Sequence, residues 1–179
     1  MLRFTLDTNC IIAVEKREPA AAAIEFLVAA HRQGRADVAL GAISASENQR
    51  GGRIENFRDF EAWIASVGFE GLELLPTLGY WDIGYWDNFY WASDEGEKLE
   101  VDIHNILFPG RDCSAPLTES RTALNAKCDV LAMWSHIHHG RDVFVTSDLN
   151  FHAKKAGLLM LGAKEIARPS DAVAMTRLP

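Results

Sequence analysis

Apolar residues in this chain fall into two kinds of stretch that alternate: short continuous runs, and longer segments spaced three or four apart. Leu2 to Leu6 is a mostly apolar run that stops abruptly at Asp7-Thr8-Asn9. It predicts a buried strand that delivers polar residues at its C-terminal end. A helical stretch follows, in which Pro19 suits a first turn, Ala20 to Ala30 are strong helix formers and Gly34 is the stop. Val38 to Ile43 is a second short apolar run and leads into Ser44-Ala45-Ser46-Glu47. Phe57, Phe60, Ile64 and Val67 recur at helical spacing with Gly68 after them, and Leu72 to Leu75 reads as a small strand. A long helix is predicted from about Glu119 to His139, with Leu124, Leu131, Trp134 and Ile137 near one face and Gly140 ending it. Asp142 to Thr146 carries the apolar trio Val143, Phe144 and Val145, a buried strand that ends at Thr146-Ser147-Asp148. Lys155 to Leu161 predicts a short helix stopped by Gly162, and Lys164 to Ala167 a last strand. Ser170, with Pro169 before it, is expected to cap a final helical turn.

Strands alternating with helices predict an α/β fold with a mainly parallel sheet. Ligands in such folds gather at the C-terminal ends of the strands. Three polar clusters fall at those ends: Asp7, Ser44 to Glu47, and Asp148. Residues 79 to 118 break the alternation. Tyr80, Trp81, Tyr85, Trp86, Phe89, Tyr90 and Trp91 crowd together there, followed by an acidic helical stretch from Asp94 to Phe108 and a Pro109-Gly110 loop. This composition marks an insertion within one domain spanning 1–179. Its rings either cover a core or a subunit interface, stack unpaired bases, or form a groove for a partner protein. The interleaved Asp82, Asp87, Asp94, Glu95 and Glu97 weigh against stacking on RNA, because they repel phosphate.

Composition narrows the classes. The 179 residues, 48% hydrophobic and 24% charged, suit one globular domain with a single core. No apolar run approaches the ~20 residues of a membrane span. Arg3 and Asp7 interrupt the N-terminal stretch before the apolar region of a signal peptide can develop. Cys10, Cys113 and Cys128 form no CxxC pair, and an odd count argues against a disulfide framework. They read as small apolar residues in a reducing cytosol, so a cytoplasmic location without membrane association is expected. With 25 acidic against 18 basic residues the formal charge is −7, which excludes nucleic-acid binding through bulk phosphate neutralisation. A nucleic-acid substrate would need a bound cation or a local basic strip. Arg50, Arg53, Arg58, Arg141, Lys154 and Lys155 are the candidates for phosphate contacts, with Arg50, Arg53 and Lys154 taken as substrate-binding.

Hard divalent ions such as Mg²⁺ and Mn²⁺ take oxygen ligands, which carboxylates supply. The candidates are Asp7 after the first strand, Glu47 after the second, Asp129 in the long helix and Asp148 after the late strand. Four such charges in one pocket repel each other, so their convergence implies a metal. Structural readings stand beside this one. Asp7 and Asp148 either serve the site or cap helices and form Asx turns, and Ser44 with Glu47 matches the capping box S-x-x-E. Asp129, among Leu124, Val130, Leu131 and Trp134, lies near the buried side of its helix and needs a partner or a metal. His136, His138 and His139 have poor spacing for zinc and read as residues of a helix C-terminus, where positive charge is favoured. His104 and His152 read as surface or supporting residues.

Four motifs then carry a family resemblance. Leu6-Asp7-Thr8-Asn9 resembles the opening motif of the PIN-domain nucleases, a family that includes many toxin ribonucleases of bacterial toxin–antitoxin pairs. Ile43-Ser44-Ala45-Ser46-Glu47, with Gly51 following, resembles the second motif, and Asn125-Ala126-Lys127-Cys128-Asp129-Val130-Leu131 is similar to the third. Val145-Thr146-Ser147-Asp148-Leu149-Asn150-Phe151 resembles the fourth, a strand running into Thr-x-Asp-x-(Asp or Asn)-Phe. The order agrees, and the resemblance covers the first and last thirds of the chain around the enlarged central region. It implies a three-layer α/β/α sandwich, an Mg²⁺ or Mn²⁺ site, and endonucleolytic hydrolysis of single-stranded RNA. An antitoxin is then an implied partner, and a homodimer is an expected assembly. Carried over, Asp7, Glu47, Asp129 and Asp148 are the catalytic and metal-site acids, with Asn9, Ser44 and Thr146 as supporting hydrogen-bonders. Asn150 stands where many members have a further aspartate, which removes a charge and puts a second metal in question. That departure, the negative charge and the aromatic insertion motivate an alternative: a catalytically weak PIN-like module that binds RNA or protein. A phosphatase of the haloacid-dehalogenase type, with Asp7 as nucleophile, expects a second aspartate two residues later, where this chain has Asn9.

Overall fold

The computed structural model describes residues 1–47, 54, 56–80, 89–112 and 121–176. The first strand, β1 (Arg3–Leu6), runs directly into helix α1 (Thr8–Glu15), and α2 (Ala21–Arg32) follows. Gly34 ends that region with φ of +67°, a conformation L side chains rarely adopt. Strand β2 (Asp37–Gly41) leads into the one-turn helix α3 (Ser44–Glu47). Helix α4 (Phe57–Ser66) starts at Asn56, whose side chain accepts from Asp59 N while Asp59 reaches back to the Asn56 backbone, a reciprocal capping box. Strand β3 (Glu73–Leu75) precedes a small ribbon of β4 (Thr77–Leu78) and β5 (Phe89–Tyr90). Helices α5 (Asp94–Leu107) and α6 (Arg121–His138) come next, then β6 (Val143–Val145), α7 (Leu149–Ala153), α8 (Lys155–Met160), β7 (Ile166–Ala167) and α9 (Pro169–Met175).

Five strands form a wholly parallel sheet in the order β3-β2-β1-β6-β7, and β4 pairs with β5 separately. Side chains alternate across it. Phe4, Leu6, Val38, Leu40, Val143 and Val145 enter one apolar core with residues of α1, α2 and α4 such as Ile11, Leu27 and Phe60. Phe144 and Ile166 point into a second core with Ile103, Leu131, Trp134, Phe151 and Leu158 from α5, α6, α7 and α8. Helices therefore cover both faces of a buried parallel sheet. Each fully buried large apolar side chain contributes about 1.5–3 kcal/mol relative to its exposed state, so these two cores fix the strand register. Among the described residues, no helix is long and apolar enough to cross a membrane.

Register places the site. Leu6 is paired with Leu40 on one side and with Val145 on the other, so residues following β1 and β6 emerge together at the same sheet edge. Chain connections run outward from β1 through β2 and β3 on one side, while β6 and β7 lie on the other. The boundary between β1 and β6 is thus the point where strand order reverses, and such a point opens a crevice at the strands' C-terminal ends.

Several local expectations are corrected. Helix α1 begins immediately after Asp7, ahead of the helical stretch expected from Pro19. Helix α7 begins at Leu149, ahead of the short helix expected from Lys155. Ser170 does not cap α9: Pro169 is already inside the helix, Arg168 is the cap residue, and no side chain bonds the first turn. Of the aromatic region, residues 81–88 lie outside the described set, as do 113–120 with Cys113.

Candidate functional site

Asp7 is the residue at which β1 becomes α1. Its backbone is extended and its Oδ1 accepts from Thr8 N at 2.8 Å. Its Oδ2 accepts from Asn9 Nδ2 at 2.6 Å and from Thr146 Oγ1 at 2.7 Å. Asn9 Nδ2 lies 2.8 Å from Thr146 Oγ1 as well, and Asn9 Oδ1 accepts from Ser147 N at 3.3 Å. Thr146 Oγ1 also accepts from Asp148 N at 3.0 Å, and Asp148 Oδ1 accepts from Asn150 N at 2.7 Å, capping α7. Both aspartates thus cap helices, as their capping reading expects, at the C-terminal ends of β1 and β6.

Glu47 arrives from the other side of β1. Thr8 is buried, its hydroxyl lies 2.8 Å from Ser44 Oγ, and it also hydrogen-bonds the Glu47 carboxylate. Ser44 thus supports Glu47 through Thr8. Asp129 comes from the middle of α6, deeper in the helix than its first turn.

The charges of the four acids act on one another. Burial, and then the charge of Glu47, push the Asp7 carboxyl from 3.8 up to about 7 against the opposing bonds from Thr146 and Thr8. Asp129 is pushed to about 9, by burial first and then by Asp7, Glu47 and Asp148. Glu47 is also raised, by burial and by Asp148, with the Thr8 bond acting against it. Among the described residues Asp129 has no hydrogen bond or cation to offset these terms. Asp7, Glu47, Asp129 and Asp148 are therefore near enough for the charge of one to act on another.

The donor set has the chemistry a hard divalent cation requires: oxygens only, net negative, and partly buried. Yet among the described residues no group of three or more His, Cys, Asp or Glu side chains is arranged to hold a metal ion. The acids influence one another through space without closing into a cage.

The remaining predicted residues divide. Asn150 turns its side chain away, with Nδ2 donating to Leu107 O at 3.2 Å, so it serves the site through its backbone N–H alone. An aspartate could not make that donation. Lys154 carries no ion pair or side-chain hydrogen bond among the described residues. Arg50 and Arg53 lie outside the described residues, and Arg58 is exposed. Arg141 is not a phosphate contact: it is buried at the opposite edge of the sheet, bonding Asp37 Oδ2 and Phe4 O, each at 2.8 Å. Lys155 is paired with Glu165 and Ile166 O.

The histidines are corrected too. His136 is fully buried beneath the sheet with Nδ1 3.0 Å from Thr5 Oγ1, and burial, then Arg141, hold it down at about 3. It is neutral, not a helix-terminal cation. His138 stacks on Trp134 and His139 meets Pro76 O. His104 is buried and contacts Arg111 O, while His152 Nε2 lies 2.9 Å from Thr146 O. Thr8 was not singled out by sequence reasoning. The signal for it was a hydroxyl in the first turn of a helix whose cap is a site aspartate.

No family model matches the chain, and comparison with curated proteins and with solved structures gives no significant match.

Proposed function

We propose that this chain is a PIN-like endoribonuclease that hydrolyses phosphodiester bonds of single-stranded RNA with a divalent cation, Mg²⁺ or Mn²⁺. The reading rests on one observation. Four carboxylates from segments far apart in sequence share a field at the reversal point of a parallel sheet, where Asp7 and Asp129 are driven towards or above neutrality. Such an arrangement is costly unless a positive ligand offsets it. A cation held by Asp7, Glu47, Asp129 and Asp148 would supply the charge that polarises the phosphodiester and acidifies the attacking water. Asn9 and Thr146 fix Asp7 Oδ2, Thr8 and Ser44 support Glu47, and Lys154 offers a cation for a neighbouring phosphate. The four-motif resemblance agrees in residue types and order. On this reading the covered parallel sheet is the α/β/α sandwich of that family, and a toxin role with an antitoxin partner follows from the same resemblance, while a cytoplasmic location and a homodimeric state are proposed beside it.

A second reading, a catalytically weak RNA- or protein-binding module, is favoured by the open arrangement of the acids and by the use of Asn150 to tie α7 to Leu107. Incubating the purified chain with single-stranded RNA and Mn²⁺ separates the two. Cleavage abolished by EDTA and by Asp7→Asn supports the nuclease. RNA retention without cleavage supports the module, and cleavage that survives both controls rejects the cation mechanism.

A further inference from the structure

Helix α5, the helical part of the central insertion, is tied to both elements that carry the later acids. At its middle, Glu100 Oε1 accepts from Lys127 Nζ of α6 at 2.7 Å, and Glu100 Oε2 accepts from the Tyr80 hydroxyl at 2.8 Å. The Lys127 ammonium also lies 4.2 Å from the centre of the Tyr80 ring. Water is nearly shut out of this pair, each side chain being 5% exposed. Near its N-terminal end, Gly96 O accepts from Trp134 Nε1 of α6 at 3.0 Å. At its C-terminal end, Leu107 O accepts from Asn150 Nδ2 of α7 at 3.2 Å.

A buried ion pair is a poor device for stability alone, since apolar side chains of similar volume often serve as well or better. Its particular property is direction: a pair held this way selects one register and one rotation of α6 against α5. Lys127 precedes Asp129 by two residues on α6, a step of about 200° around an α-helix. The two side chains therefore leave the helix on opposite faces, and a shift at one swings the other. With side-chain tips about 5–6 Å from the axis, turning α6 by about 20° carries the Asp129 carboxylate through about 2 Å. A misplacement of about 1 Å is enough to cost about a hundredfold in rate. On the other flank, Asn150 donates its backbone N–H to Asp148 Oδ1 while its side chain holds α5. The same helix thus also anchors the turn that seats Asp148.

We infer that α5 is a brace that sets Asp129 and Asp148 relative to each other, with Glu100, Lys127 and Asn150 as its positioning residues. The inference rests on the nuclease reading above and gives the central insertion a part in it. None of the three side chains needs to touch RNA. Tyr80 serves the brace twice, through its hydroxyl on Glu100 and its ring beneath Lys127.

Steady-state cleavage of single-stranded RNA by the full chain in Mn²⁺ tests this, with melting temperatures measured alongside. The triple variant Tyr80→Phe, Glu100→Leu, Lys127→Met removes the polar lock and keeps its volume. Its melting temperature is expected to be kept or raised, while kcat falls about 10–100-fold and KM stays within about twofold. Asn150→Ala, which keeps the backbone bond to Asp148, is expected to lower kcat about tenfold and decides the matter if the triple variant does not fold. Lys98→Ala breaks the exposed Lys98–Asp102 pair within α5, and is expected to cleave as wild type does. A folded triple variant or Asn150→Ala with wild-type kcat overturns the brace and leaves the nuclease reading standing. An equal loss in Lys98→Ala also overturns it, since the effect then belongs to the helicity of α5. Wild type that cleaves no RNA overturns both.

Discussion

Thr146 Oγ1 donates to Asp7 Oδ2 and accepts from Asn9 Nδ2 and Asp148 N, which uses the whole capacity of a hydroxyl. A valine of nearly the same shape would strip all of these at once, leaving buried partners unpaired at about 1–3 kcal/mol each. Thr146→Val is therefore expected to lower RNA cleavage by about 10–100-fold, with Thr146→Ser retaining most of it. Equal activity in the two variants would show that the hydroxyl is dispensable. Asp129 makes the opposite kind of prediction. Its carboxyl is raised in the folded chain, so the stability it contributes is fully present below 3.8 and is lost as pH rises towards about 9. Asp129→Asn removes that loss. In EDTA near pH 8 the variant should melt about 3–6 °C higher than wild type, and the gap should close near pH 4. A variant that melts lower at alkaline pH would contradict the repulsion described for this cluster.

Helix α6 serves two regions of the sheet: Asp129 lies near enough to Asp7, Glu47 and Asp148 to feel their charge, and His136, two turns on, lies beneath β1 against Thr5 and the Phe144 ring. His136 is held at about 3 against an ordinary 6.5, so the unfolded chain binds the extra proton first. Stability is complete above about 6.5 and is lost as pH falls towards 3. His136→Leu should flatten that acid limb, read as the slope of melting temperature against pH, while costing about 1–3 kcal/mol at neutral pH through the unpaired Thr5 hydroxyl. A slope unchanged by the substitution would assign the acid limb to other groups. Nothing near His136 in sequence announces its burial, because the contacts that bury it come from β1 and β6. The same separation hid the true role of Arg141, whose partners Phe4 and Asp37 are more than a hundred residues away. Asp7 and Asp148 were readable because each sits where an apolar run stops, a signal that needs no distant partner. Helix α1 was not, since only Asp7 separates it from the end of the strand. The β4–β5 ribbon was equally hidden, its pairing being non-local and its strands two residues long.

Across the entire chain these titrations oppose each other. His136 favours the folded state increasingly from about 3 to 6.5, whereas Asp7 and Asp129 disfavour it increasingly from 3.8 to about 7 and about 9. Above 3.8 the two acids outweigh the one histidine, so in EDTA the melting temperature should peak at about pH 4 and decline above it. Saturating Mn²⁺ should move that maximum to higher pH, because it stabilises only the ionised site. Superimposable curves with and without Mn²⁺ would leave the acids without the ligand proposed for them. The sheet order has one more effect. β1 is the first strand to leave the ribosome, yet the neighbour on its inner flank is β6, whose Val145 pairs with Leu6. Until that late strand has been translated, one edge of β1 stays open, and Asp7 lacks both Thr146 and Asp148. In a nascent chain the hydrogen bonds that fix Asp7 Oδ2 therefore stay incomplete until β6 and Thr146 have been made.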